Sequence, residues 1–176
     1  SRGLGDVYKR QSLTFTHEGQ NQICFPDISL SNNEGLIVIG NSGSGKTTLI
    51  NLIAGLIKPD SGDITLNQTK YNELSLDDLD IFRGKNIGLI FQKPHFIRNL
   101  NVLENLSLST HLSRNKVRKE IFEETLSEVG LSAKVNVRPN ELSEGEQQRL
   151  SIAMALVKEP SICLLYTSDA ADEKRC

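Results

Sequence analysis

The sequence is poor in cysteine, has no large excess of either charge and contains no long apolar run. Its three cysteines are odd in number and widely spaced, which favours a reducing compartment over a disulfide framework and gives none of them the spacing of a zinc site. With a net charge of −2, no basic surface argues for nucleic acid as a direct partner. The apolar runs, such as residues 49–57, are too short to cross a bilayer, and no signal peptide opens the chain. Any role at a membrane would therefore need a partner.

A phosphate-binding loop is the most specific feature that is present. Residues 40–47 match the pattern G-x-x-x-x-G-K-[ST], between an apolar segment at residues 36–39, predicted as a strand, and a helix-like segment at residues 49–56. Small residues let successive N–H groups point at one phosphate, and the following helix adds its positive N-terminal end. A turn that binds nothing is the alternative, but such a match arises by chance in under about 1% of chains this long. The candidate nucleotide-binding residues are Gly40, Asn41, Ser42, Gly43, Ser44, Gly45, Lys46, Thr47 and Thr48.

Apolar segments and helix signals organise the rest of the chain. A short strand is predicted at residues 63–66, and a polar stretch at residues 67–80 separates it from a second strand at residues 87–91, which ends at Gln92. From Asn101 onward the apolar period becomes helical, and a capping-box-like start at that residue favours a helix. The 176-residue length suits one domain with a sizeable interior.

A second chemical signal begins at Leu142. Ser143 and Glu146 form a helix-capping pattern, which on its own is far more often an ordinary helix start than a binding site. Its position changes the interpretation, because it follows the phosphate loop by about a hundred residues and precedes another apolar strand at residues 162–165. In this order the motifs resemble those of the ATP-binding cassette (ABC) family, whose signature L-S-G-G-Q is read here as Leu142-Ser143-Glu144-Gly145-Glu146. The resemblance runs from about Ser12 to Leu165.

The resemblance implies a fold and a set of partners. The fold would be an α/β P-loop core with a small antiparallel β subdomain and a helical subdomain at about residues 101–140, the C-terminal third of the family's domain being missing. The cofactors would be ATP and Mg²⁺. The complete protein would form a head-to-tail homodimer and drive membrane permease subunits from the inner face of the cell membrane, with no direct nucleic-acid partner.

Roles for individual residues also follow from the resemblance. Thr47 and Gln92 would contact Mg²⁺, and Gln92, the candidate catalytic residue, would also touch the attacking water. Alone, Gln92 could equally be a solvated polar residue that closes a strand. Ser143 and Gly145 would cap the γ-phosphate held by the opposite subunit, in keeping with the affinity of a helix N-terminus for anions.

Two positions depart from the family pattern. Glu144 replaces the first glycine of the signature, which places a carboxylate beside a phosphate-contacting serine and is expected to weaken closure of the dimer rather than nucleotide binding. Where the family usually places an aromatic ring against adenine, alignment puts His17, with Phe15 two residues earlier on the same strand face. An ordinary surface histidine is the alternative.

The C-terminal end lacks the acids of the Walker B motif. The strand at residues 162–165 is present, but family spacing puts the aspartate at Tyr166 and the glutamate at Thr167, while Asp172 and Glu173 come six residues too late. The two ends of the chain, residues 1–11 and 166–176, resemble the translation of leftover sequencing-adapter DNA. We therefore interpret them as non-native flanks, which leaves residues 12–165 as the incomplete cassette domain. The alternative is a natural chain with an inactivated Walker B. Either way, the chain is expected to bind ATP without hydrolysing it.

The expected function is that of the ATP-binding subunit of an ABC transporter. Residues 91–97 and 103–106 look most like the branch of lipoprotein-releasing, macrolide-export and cell-division ATPases. Two alternatives remain, a soluble ABC-type ATPase of DNA repair or translation, and a scaffold that binds nucleotide without hydrolysing it. The zinc-spaced cysteines, long coiled coils or tandem cassettes of the first alternative are not visible in the sequence.

Overall fold

The computed structural model describes residues 8–166 except Gln20 and Ser42, with the backbone alone at residues 8–11. The described residues fall into two compact units, one that ends at Asp80 and one that begins at Ile81. Each unit has its own buried side chains and is described by itself.

The first unit is built on an antiparallel sheet of five strands: β1 (Tyr8–Thr16), β2 (Gln22–Cys24), β3 (Ile28–Leu30), β4 (Ser61–Leu66) and β5 (Thr69–Lys70). The long strand β1 pairs with β2, β3 and β4. Its register shifts between Gln11 and Thr14, where Ser12 has a positive φ of 48° and donates its N–H to the Asp27 carboxylate at 2.6 Å. Leu13, which lies at this irregularity of the ladder, is buried.

The start of β1 overlaps the segment interpreted as a foreign flank. Residues 8–11 pair with β3 on one side and with β4 on the other. Residues 1–7 and 167–176, which make up the rest of the two proposed flanks, lie outside the described residues. The boundaries of the flanks therefore remain a prediction, and β1 is the place where it can be tested.

Two helices accompany this sheet. Helix α1 (Lys46–Ile53) follows the phosphate loop, and α2 (Leu76–Asn86) crosses from the first unit into the second. The sequence predicted only a polar stretch before Asp80, although Ser75 carries a usable signal: its hydroxyl accepts the N–H of Asp78 at 3.1 Å and so caps α2.

The predicted strand at residues 36–39 is wrong for this structure. The segment has no regular secondary structure, and Ile37 and Ile39 are 83% and 86% exposed. A run that is apolar at every position suits a strand buried on both faces, which needs hydrogen-bonded neighbours on its edges. Neither sheet in the described part of the chain takes up this segment as a strand, so its apolar pattern alone does not make it one.

The second unit combines two parallel strands with three helices. The strands are β6 (Ile87–Ile90) and β7 (Ile162–Leu165), and the helices are α3 (Val102–Leu112), α4 (Lys119–Glu128) and α5 (Glu144–Leu156). A parallel pair needs a long crossover, and all three helices lie within it. Leucines, valines and one alanine from the helices and their connections form one buried cluster: Val102, Leu106, Leu126, Leu131, Leu142, Leu150, Ala153 and Val157.

Sequence signals explain the ends of these helices. α3 begins with a full capping box between Asn101 and Glu104, as predicted. α4 ends before Gly130, whose φ of 69° is left-handed, and the next residue, Leu131, donates its N–H back to Leu126 at 2.8 Å. A side chain at Gly88 on β6 would lie only 3.0 Å from Cys163 Sγ and 3.2 Å from the Ala155 carbonyl, so glycine permits close packing there.

Candidate nucleotide-binding site

The phosphate loop reaches α1 through glycines that the backbone requires. Gly43 and Gly45 have φ values of 78° and 89°, which side chains adopt at a cost. Gly45 is also the N-cap of α1, and a Cβ there would touch Ile23 and Phe25 at 3.4 Å. At Gly40 a Cβ would lie 2.6 Å from Ser44 Oγ, so the loop closes tightly on itself. Ser42 lies outside the described residues.

The ammonium group of Lys46 lies within the loop. It donates to the carbonyl of Gly40 and, at 3.0 Å, to that of Asn41. The lysine is the first residue of α1, so its charge adds to the positive end of the helix dipole. The loop therefore offers a concentrated positive site, which is what the oxygens of a phosphate chain require.

The two threonines that follow Lys46 differ in solvent exposure. Thr47 is exposed, whereas Thr48 is only 6% exposed. The Thr48 hydroxyl lies 2.9 Å from Nε2 of His17, and the imidazole meets the ring of Phe15 at 4.8 Å with an interplanar angle of 80°. The structure thus joins the predicted adenine-side residue, His17, to the end of the phosphate loop.

Thr47 is a candidate ligand for a magnesium ion in this unit. Its hydroxyl oxygen, in the first turn of α1, could coordinate the ion. Mg²⁺ commonly takes the rest of its ligands from phosphate oxygens and water. Among the described residues, no group of three His, Cys, Asp or Glu side chains could hold a metal by itself. Thr47 fits a magnesium ion that is brought in with the nucleotide.

The other predicted site residues lie in the second unit. Gln92 follows β6 and is half-buried, and Ser143 and Gly145 are exposed at the start of α5. Ser143 forms a full capping box with Glu146: its Oγ accepts the Glu146 N–H at 3.3 Å and donates to the carboxylate at 3.1 Å. The exposed Glu144 occupies the first turn of α5, where a negative charge interacts favourably with the helix dipole.

The capping box affects the chemistry of Ser143. Hydrogen bonds from the backbone and the hydroxyl of Ser143, helped by the charge of Lys134, hold the pKa of the Glu146 carboxyl below its usual range. The ionised carboxylate accepts the Ser143 hydroxyl hydrogen, so that hydrogen must change partner before Ser143 can donate it to a phosphate.

The end of β7 carries no acid at the expected position. Tyr166 follows the strand and donates its N–H to the Ile90 carbonyl at 3.0 Å, which continues the parallel ladder. The strand itself is entirely apolar, Ile162–Leu165. Thr167, Asp172 and Glu173 lie outside the described residues.

Asn105 is a structural residue that the sequence interpretation missed. It is 1% exposed, and its side chain binds the segment that follows Gln92: Oδ1 accepts the Ile97 N–H at 2.9 Å, and Nδ2 lies 3.2 Å, 3.0 Å and 2.9 Å from the carbonyls of Ile97, Leu100 and Asn101. A polar residue on the otherwise apolar face of a predicted helix is the signal that could have identified it.

A groove of about 650 Å³ lies in the second unit, beside the segment that Asn105 holds. Its lining includes the exposed side chains of Ile97 and Leu112. A smaller cavity of about 260 Å³ shares lining residues with it and includes Arg83 and Lys158. Burial lowers the pKa of Lys158, whose ammonium donates to the Ile87 carbonyl at 3.1 Å. Among the described residues, no carboxylate lines either space.

Comparison with known proteins identifies the family. The family model described as ABC transporter matches residues 26–166, so this chain belongs to the ABC transporter family. The lipoprotein-releasing system ATP-binding protein LolD of Wigglesworthia glossinidia brevipalpis is 39% identical over 138 residues, which are 77% of this chain and 60% of that protein. LolD of Buchnera aphidicola subsp. Acyrthosiphon pisum is 37% identical over 166 residues, 92% of this chain and 69% of that protein. The chain thus spans less than two thirds of the first relative.

Solved structures give the same result for the fold. A dimeric structure of MJ0796, a bacterial ABC transporter cassette, matches with a TM-score of 0.72 at 35% identity over 90% of this chain and 72% of that one. A post-hydrolysis dimer of the same cassette, bound to ADP and Pi, gives the same values. The predicted family and fold class are confirmed, and the relatives include the lipoprotein-releasing type that the motifs favoured.

Proposed function

We propose that this chain binds MgATP through residues 40–48, as the ATP-binding subunit of an ABC transporter. The observation that carries the proposal is the closed glycine loop, which holds the Lys46 ammonium at the N-terminus of α1. Such a loop suits a chain of phosphates better than a single carboxylate, because it places the Lys46 ammonium beside the positive end of a helix dipole. The ADP- and Pi-bound relative supports the ligand class.

Hydrolysis belongs to the complete protein in this proposal. Gln92 would orient the attacking water, and Thr47 with Gln92 would hold the metal that comes with the nucleotide. Magnesium would supply charge neutralisation on the phosphate oxygens. This chain has Tyr166 where the family's first acid would follow the strand, so it is expected to bind nucleotide without turning it over.

Ser143 and Gly145 would act on a nucleotide held by a second copy of the protein. They sit at the N-terminus of a 13-residue helix, a place that attracts anions, and two matching structures of MJ0796 are dimers. A head-to-tail homodimer would give each nucleotide one phosphate loop and one capping helix. Glu144 would oppose closure by its charge.

The proposed partner is a membrane permease, with the protein on the inner face of the cell membrane. In the described part of the chain, no helix is long and apolar enough to cross a bilayer. The groove that includes Ile97 and Leu112 offers an apolar surface with basic groups nearby, Arg83 and Lys158, which suits a short permease segment that carries apolar and acidic side chains. The LolD relatives favour the lipoprotein-releasing branch over a repair or translation ATPase.

Calorimetric titration of the purified chain with MgATP tests the binding. Lys46→Ala should weaken binding by about 10-fold or more, because a charge-assisted phosphate contact contributes roughly 1.5–3 kcal/mol. Lys58→Ala, an exposed lysine of the same unit, is the matched control and should bind like the unmodified chain. Equal affinities for the two variants, or ATP turnover well above background by this chain, would contradict the proposal. ATP turnover by the complete protein would exclude the non-hydrolysing scaffold.

A further inference from the structure

The contact between His17 and Thr48 links two regions that phosphate binding alone would not require to meet. Thr48 is almost completely buried, and its hydroxyl lies 2.9 Å from the imidazole Nε2. A threonine in the first turn of a helix could instead satisfy its hydroxyl locally. The Thr48 hydroxyl is instead within hydrogen-bond distance of a ring from another segment. This indicates a role in setting the position of that ring.

The ring itself is constrained from two sides and open on another. Phe15 meets His17 nearly at a right angle, 80°, with 4.8 Å between ring centroids. A perpendicular contact can cover at most one face of the imidazole, and His17 is exposed as a whole. The exposed imidazole can therefore take a further contact on a face that Phe15 does not cover, next to the phosphate loop.

We propose that Thr48 is a positioning residue for the nucleobase. Its hydroxyl holds His17 so that the open imidazole face stacks on the base of a nucleotide whose phosphates lie in residues 40–47. This inference rests on the proposed nucleotide binding. It goes further by assigning Thr48 a role towards the base, in addition to any contact with phosphate.

Hydrogen-bond counting adds a condition on His17. A threonine hydroxyl has one hydrogen to donate and can accept from others, whereas each nitrogen of a neutral imidazole either donates or accepts. If Nε2 carries the hydrogen and donates to Thr48, the hydroxyl hydrogen stays available for a phosphate oxygen. If Nε2 accepts, that hydrogen is already used. A Thr48 hydroxyl that donates to a phosphate oxygen therefore requires the His17 tautomer that carries its hydrogen on Nε2.

A double-mutant cycle with two ligands tests the proposal on the full 176-residue chain. MgATP contains a base and magnesium tripolyphosphate does not. Thr48→Val removes the hydroxyl at nearly constant shape and should weaken MgATP about 3- to 10-fold more than tripolyphosphate, the effect of one hydrogen bond. Thr48→Ser keeps the hydroxyl and should restore most of the difference. In a His17→Ala background, the extra loss caused by Thr48→Val should disappear.

Each other outcome contradicts a defined part of the scheme. Equal losses for both ligands, or an extra loss that persists without His17, would show that Thr48 serves the phosphates alone. If the unmodified chain binds tripolyphosphate but gains nothing from the base, this inference fails while the phosphate site stands. If it binds neither ligand, the proposed function fails as well. If Thr48→Val does not fold, ¹⁵N spectra of His17 decide: in the MgATP complex the ring should carry its hydrogen on Nε2, and a bound ring with its hydrogen on Nδ1 alone would overturn the proposal.

Discussion

Replacing Asn105 with alanine should destabilise the second unit by about 2–3 kcal/mol. The Asn105 amide has two hydrogens to share among three nearby carbonyls and one oxygen that accepts the Ile97 N–H, so at most three full hydrogen bonds are lost. At about 1 kcal/mol each, they sum to about 3 kcal/mol. Alanine returns about 0.6 kcal/mol through its higher helix propensity, and the small cavity that it leaves adds to the loss.

Native-state hydrogen exchange is the appropriate assay, because the chain has no tryptophan to report on unfolding and exchange follows the amides of one unit by themselves. The slowest amides of α3 to α5 should lose protection by a factor of about 30–150, and the Ile97 amide should lose more, since its acceptor is gone. Asn140→Ala, on an exposed side chain of the same unit, is the matched control and should change protection little. A loss below about 1 kcal/mol with Ile97 still protected would refute the assigned role.

Two further predictions concern the chain's N-terminus and the capping box of α5. Deleting residues 1–7 should leave the thermal midpoint unchanged, whereas deleting residues 1–11 should lower it, because residues 8–11 pair with two strands. Equal midpoints for the two deletions would place the end of the foreign flank after residue 11. Because folding lowers the pKa of Glu146, its contribution to stability is present above the ordinary value of 4.5 and is lost as pH falls below it. Glu146→Gln should therefore flatten the acid loss of stability measured by urea unfolding between about pH 5 and 3. Glu128→Gln, on an exposed side chain at the end of α4, is the matched control, and an equal flattening by both variants would contradict the role of the capping box.

Sequence patterns predicted those features of the molecule that depend on residues close together in the chain. The glycines of the phosphate loop and the capping boxes at Asn101 and Ser143 depend on residues within a few positions of one another. Each was predicted from sequence in the place where the structure has it. The stereochemistry of one turn decides such features before any tertiary contact forms.

Features that depend on distant residues were predicted less well. The strand expected at residues 36–39 was wrong because a strand needs neighbours, which its own sequence does not supply. Helix α2 was missed because its sequence is polar, and only the cap at Ser75 marks its start. The role of Asn105 depends on carbonyls four to eight residues away that a folded segment brings together.

The same distinction separates the candidate site residues. The proposed phosphate site, residues 40–48, lies within one unit. There the loop, the Lys46 ammonium and the N-terminus of α1 lie next to one another. Gln92 and Ser143 lie in the other unit, and Ser143 donates its hydroxyl hydrogen to the Glu146 carboxylate of its own helix cap. Their proposed chemistry exists only in an assembly that brings a nucleotide to them. Nucleotide binding can therefore be tested on this chain, whereas capping and hydrolysis require the complete dimer.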